Sequence, residues 1–165
     1  HLNYKIACTY MNEGNWESAI KKLEVALRIH RMQPEYNLAM GQCYLQLDKL
    51  DDAISSFGNV VRVRPKNISG WTELLNSLYK AEMLEEAVEY AGFAFEQTEG
   101  KPIFLFYKSA FLYALGKSKE ALLNLEAGMN RNPKLVKKFI QINPALLQIQ
   151  QVVDIIARFK KRKSL

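Results

Sequence analysis

An all-α array of antiparallel helix pairs is the fold class this sequence predicts, and three observations predict it. Alanine returns every 34 residues, at Ala19, Ala53, Ala87 and Ala121. Each sits in a similar phrase: Glu-Ser-Ala-Ile, Asp-Asp-Ala-Ile, Glu-Glu-Ala-Val and Lys-Glu-Ala-Leu. Alanine makes up 15 of 165 residues, so three further matches in one register arise by chance about once in a thousand trials. Other columns keep the same interval: Leu23, Phe57, Ala91 and Leu125 form one, Ala26, Val60, Ala94 and Gly128 another. Finally, Pro34, Pro65, Pro102 and Pro133 fall at unit boundaries, where a residue that costs about 3 kcal/mol inside a helix does no harm.

The elements follow in chain order. Helices are expected near 2–13, 16–31, 34–47, 50–63, 68–81, 84–98, 102–115 and 118–131, two to each period. The turns within pairs centre on Gly14-Asn15, Asp48-Lys49, Glu82-Met83 and Gly116-Lys117, because helices commonly end on a left-handed residue. Small residues at Ala7, Gly41 and Ser109, together with the periodic alanines, let paired backbones approach while large neighbours fill the grooves. Past Pro133 the period fails. Leu135, Phe139 and Ile142 suggest a short ninth helix, Asn143-Pro144 breaks it, and Leu147, Ile149, Val152, Val153, Ile156 and Phe159 form the apolar side of a tenth. The reading is four repeats over 1–133 (1–33, 34–67, 68–101 and 102–133), then capping helices with a basic tail over 134–165.

These columns resemble the tetratricopeptide repeat family over residues 1 to about 133. The match is most specific in the second unit, where Gly41, Tyr44, Ala53, Phe57 and Pro65 fall on family positions. In the third, Leu75 replaces the small residue and Glu99 stands at the proline position, which points to a displaced helix. The resemblance implies a right-handed superhelix whose first helices line a concave face that holds a peptide. The groove residues it implies are Tyr4, Leu38, Gln42, Gln46, Thr72, Asn76, Tyr79, Lys80, Phe106 and Tyr113. Family members that clamp acidic chaperone tails carry Lys or Arg at the column of Tyr4, Leu38, Thr72 and Phe106. No basic residue stands there, so a carboxylate clamp is not expected.

The expected function is therefore a scaffold that binds a partner protein or peptide, with no catalytic, cofactor or metal site. There is no glycine-rich phosphate loop and no nucleophile elbow. His1 and His30 are the two histidines, and neither lies near Cys8 or Cys43 in sequence. The paired acids Asp51-Asp52 and Glu85-Glu86 open second helices, where acids favour the dipole. Asn67-Ile68-Ser69 matches a glycosylation acceptor, relevant only in a secreted chain.

The net charge of +6 is unevenly placed. Residues 1–132 carry 15 basic and 16 acidic side chains, whereas 133–165 carry eight basic and one acidic. The run Lys160-Lys161-Arg162-Lys163 offers an alternative partner class, nucleic acid or an anionic membrane. A third alternative is the regulatory repeat portion of a larger enzyme or assembly. No membrane span or secretory signal is recognised, which leaves the compartment open with the cytoplasm favoured.

Overall fold

The 34-residue period is visible as geometry in the computed structural model, which describes residues 1–163, the side chain of Lys163 excepted. The helices are α1 (Leu2–Asn12), α2 (Trp16–Ile29), α3 (Pro34–Gln46), α4 (Leu50–Val63), α5 (Ile68–Lys80), α6 (Leu84–Gln97), α7 (Ile103–Ala114) and α8 (Ser118–Arg131). Then come α9 (Val136–Ile142) and α10 (Gln150–Lys163), each preceded by a 3-10 turn, Pro133–Leu135 and Pro144–Gln148. No strand occurs among the described residues. Sequence-based bounds for the first eight helices agree within two residues at each end. Second helices begin at Trp16, Leu50, Leu84 and Ser118, again 34 apart.

The turns explain why the interval is so regular. A left-handed residue sits at Gly14 (φ 75°), Asp48 (φ 57°), Glu82 (φ 59°) and Gly116 (φ 77°), so glycine fills two of four equivalent positions and a side chain is tolerated at the others. At three of them the next amide reaches back five residues: Asn15 N–H donates to Tyr10 O at 2.8 Å, Lys49 to Tyr44 at 2.9 Å and Lys117 to Leu112 at 2.9 Å. This is the bond that satisfies an otherwise unpaired carbonyl at a helix end. Asn67 has a local task too, since its side chain accepts from Gly70 N–H at 2.8 Å and caps α5.

The chain divides into two compact units, His1–Glu82 and Met83–Leu165, with the division inside the third repeat. In the first unit α1 packs on α2, α2 on α3, α3 on α4 and α4 on α5. Ala7, Ala19, Leu23, Ala26, Ala39 and Cys43 share one buried cluster, and Tyr4, Tyr10, Met11 and Trp16 pack at its edge. The small residues do what their spacing suggested. A β-carbon added at Gly41 would meet the Phe57 ring at 2.5 Å, and one at Gly70 would meet Val60 at 2.7 Å. Polar ties fix the connection between α2 and α3: buried Asn37 donates to the carbonyls of Arg31 and Gln33, both at 3.1 Å. Trp71 Nε1 donates to Pro65 O at 2.7 Å across the next connection.

In the second unit α6 packs on α7 and α7 on α8. Ala87, Ala91, Ala94 and Ala121 are all fully buried. Ser109 shows how near the paired backbones come, since its hydroxyl donates to the carbonyl of the periodic alanine Ala121 at 2.7 Å. Beyond Pro133, α9 lies on α7 and α10 on α8. Phe139, Leu146, Val152 and Ile155 join Phe106, Ala110, Leu125 and Met129 in one buried cluster. Two sequence expectations are corrected here. Leu147 and Val153 are 44% and 38% exposed, and Leu146 and Ile155 are buried in their place. The 3-10 turn over Pro144–Gln148 advances about 120° per residue rather than 100°, which shifts the apolar phase entering α10.

Candidate functional site

The residues of the sequence-derived groove separate by unit. In the first unit, a hollow of about 290 Å³ is lined by Met11 of α1, Trp16 at the start of α2, Gln42, Leu45 and Gln46 of α3, and Glu73 of α5. Met11 and Leu45 occupy the same repeat column, and Gln42 and Gln46 lie one helical turn apart on α3, so the periodic packing itself aims these side chains at one place. Gln42 is half-buried and Gln46 exposed. Amides so placed can donate and accept together, as a peptide backbone requires, over an apolar floor of Met11, Trp16 and Leu45.

The other first-unit residues flank this hollow with different freedom. Thr72 spends its hydroxyl on its own helix, donating to Ser69 O at 3.1 Å. Lys80 Nζ lies 3.6 Å from Asp48 Oδ1 in an exposed pair, a weak tie in water. Asn76 is exposed, and Tyr79 and Leu38 are half-buried. Tyr4 is partly absorbed into packing, its ring centroid 5.0 Å from that of Tyr36. Burial, then a hydrogen bond with Cys8, pushes its phenol above the ordinary value. Trp16 and Glu73 lie outside the columns the resemblance supplied, and no sequence signal singled them out.

In the second unit the expectation fails for Phe106. Its ring is fully buried, 6.4 Å from Phe139 and against the Gly128 backbone, where an added β-carbon would lie 2.9 Å from the ring. Ala110 is buried alongside. Tyr113 is half-buried, its ring 6.4 Å from Phe139, and its buried hydroxyl has no hydrogen-bond partner. Burial raises its phenol. The physical reason is simple: α9 and the following 3-10 turn occupy the inner face of the fourth repeat, so Phe106 is core and Tyr113 lies beneath the C-terminal segment.

The cysteines differ as well. Cys43 is fully buried, and burial pushes its thiol up to about 11, whereas Cys8 is half-buried. At pH 8 a thiol reagent is expected to label Cys8 well before Cys43, which reacts when the unit opens. Linkage has a definite sign. The Cys43 thiol ionises near 9.0 when unfolded but near 11 when folded, so its contribution to stability is complete below about pH 9 and is lost as pH climbs toward 11. Urea unfolding between pH 8 and 11 measures it, and the raised phenols of Tyr4, Tyr44 and Tyr113 act in the same direction.

Among the described residues no group of three His, Cys, Asp or Glu side chains is placed to hold a metal, and no helix is long and apolar enough to cross a membrane. Of the basic run, Lys160, Lys161 and Arg162 are exposed on α10, while the Lys163 side chain lies outside the described residues. Arg162 stacks over the Phe159 ring at 5.0 Å.

Helix pairs of constant length, closed by equivalent turns and packed through small residues, define an all-α solenoid of helical repeats. Solved structures share the fold. The chain superposes on a crystal structure of MamA protein with a TM-score of 0.73, at 15% identity, over 97% of this chain and 87% of that one. A MamA fragment, 41 to the end, from Desulfovibrio magneticus RS-1 gives 0.71 at 14% identity, over 99% and 94%. The first tetratricopeptide domain of Spaghetti (RPAP3), bound to the HSP90 peptide SRMEEVD, gives 0.58 at 16%, over 70% and 94%. No curated protein matches the chain in sequence. The tetratricopeptide repeat model matches residues 34–67, the unit in which the sequence columns were most specific. Residues 34–67 are thus a tetratricopeptide repeat, set within a fold shared with solved helical-repeat solenoids.

Proposed function

We propose that the chain is a protein–protein interaction scaffold whose first unit holds a short segment of a partner in the hollow formed by Met11, Trp16, Gln42, Leu45, Gln46 and Glu73. The observation that carries this reading is the convergence of side chains from α1, α2, α3 and α5 on one concavity of about 290 Å³. It pairs apolar walls with two amides, the composition that suits an extended peptide anchored by an apolar side chain. The Spaghetti domain, similar in fold, is bound to a peptide, which supports the same use here. Thr72, Asn76, Tyr79 and Lys80 extend the face along α5.

The partner segment differs from an acidic chaperone tail. Glu73 stands on the wall, and Tyr4, Leu38, Thr72 and Phe106 offer no cation at the column a carboxylate clamp requires. Peptides selected from a random display library against the folded chain test the reading. Gln42→Ala and Gln46→Ala are each expected to weaken the selected peptides about tenfold, through lost bonds to a desolvated backbone. Unchanged affinity in both variants refutes the placement of the site.

A further inference from the structure

The second unit carries two surfaces of opposite charge that its own packing leaves open. One is a cleft of about 370 Å³ between α8, α9 and α10, walled by Met129, Val136, Ile156 and Phe159 and rimmed by Lys134 and Lys137. Both lysines are exposed. Asp154 is the single acid in residues 133–165, against eight basic side chains. The other surface is a stripe on α6. Glu86, Glu89, Tyr90, Phe93 and Glu96 follow one another at helical spacing, share one face and are all exposed.

The stripe has unusual chemistry for a solvated helix. Tyr90 and Phe93 are 38% and 43% exposed, with rings edge to face at a centroid distance of 5.8 Å. Carboxylates flank them, and α6 contains no basic residue of its own; Lys108 of α7 approaches it at Gly92, and Arg131 of α8 stacks on its Phe95 ring. A cavity of about 150 Å³ holds one benzene ring. The cleft therefore has room for both aromatic side chains, and its rim has the charge that the flanking glutamates need.

We infer that the chain associates head to tail, the acidic aromatic stripe of α6 in one copy docking in the lysine-rimmed cleft of the next. The two faces of such a contact are different, so every open assembly keeps one free stripe at one end and one free cleft at the other, and growth continues until a ring closes. Exposed charge pairs at the rim make the association sensitive to salt.

Sedimentation velocity of the full chain over a concentration series, at low and high salt, tests this. The expected result is a mass that rises with concentration and falls back at high salt. Tyr90→Ala with Phe93→Ala removes one face, and Lys134→Glu with Lys137→Glu removes the other. All four side chains are exposed or nearly so, and helix content by circular dichroism checks that each variant folds, with Phe93→Gln alone as a milder stripe variant. Each variant alone is expected to associate at least about tenfold more weakly than the parent. An equimolar mixture of the two then stops at a dimer, because one supplies an intact cleft and the other an intact stripe. A parent that stays monomeric at every concentration overturns the inference, even if the cleft accepts an acidic peptide from another protein. So does assembly of either variant to the extent of the parent, or a mixture that remains monomeric while the parent associates.

Discussion

Truncating Phe57 to Ala will destabilise the first unit by about 3–5 kcal/mol, read as a fall in the urea midpoint at unchanged slope. The ring is fully buried and sits directly over Gly41, which has no β-carbon to share the space. Removing the ring leaves a void that the glycine backbone cannot fill. The same contact sets the sign of a matched pair. Gly41→Ala gains helix propensity of about 1 kcal/mol but drives a methyl into the rigid ring at 2.5 Å, an overpacking that costs about 1–3 kcal/mol, so the net change is destabilising. Gly58→Ala, on the helix that carries Phe57, meets nothing within 4 Å and gains about 0.5–1 kcal/mol. Opposite shifts for two identical substitutions would show that the period encodes backbone approach and not helix propensity.

Phe139→Ala is the second large effect, about 3–5 kcal/mol on the second unit. Phe139 is fully buried and faces both Phe106 and Tyr113, each at 6.4 Å between ring centroids. Its loss hollows the cluster that binds α9 and the last 3-10 turn to α7 and uncovers the inner face of the fourth repeat. Thermal unfolding followed by near-ultraviolet circular dichroism, where these aromatic rings report, measures the change. A shift below about 1 kcal/mol would mean that the C-terminal segment lies loosely on α7 and that Phe106 is buried by something else.

What the sequence disclosed and what it concealed divide along a physical line. Ala19, Ala53, Ala87 and Ala121 are all fully buried, as their interval implied, because close backbone approach admits few residue types and so leaves a periodic trace. Turn positions were legible even at Asp48 and Glu82, where no glycine marks the left-handed residue, because the period carried the assignment across. Phe106 was not legible. An aromatic residue in that column suits a peptide groove and a core equally, and which it becomes depends on where a segment more than 30 residues later comes to rest. Leu146 and Leu147 were exchanged for a local reason, since a single 3-10 turn rotates the apolar face. Trp16 and Glu73 enter the hollow from the start of α2 and from a column of α5 that the resemblance did not mark.

The first unit keeps an open hollow, whereas the corresponding face of the fourth repeat is filled by the chain's own α9. Titrating the isotopically labelled chain with a selected peptide and following backbone and methyl chemical shifts tests this directly. Shifts are expected to concentrate on Met11, Gln42, Leu45, Gln46 and Glu73, with Ala110, Tyr113 and Phe139 unmoved. Shifts centred on Tyr113 and Phe139, with release of α9 from α7, would contradict it.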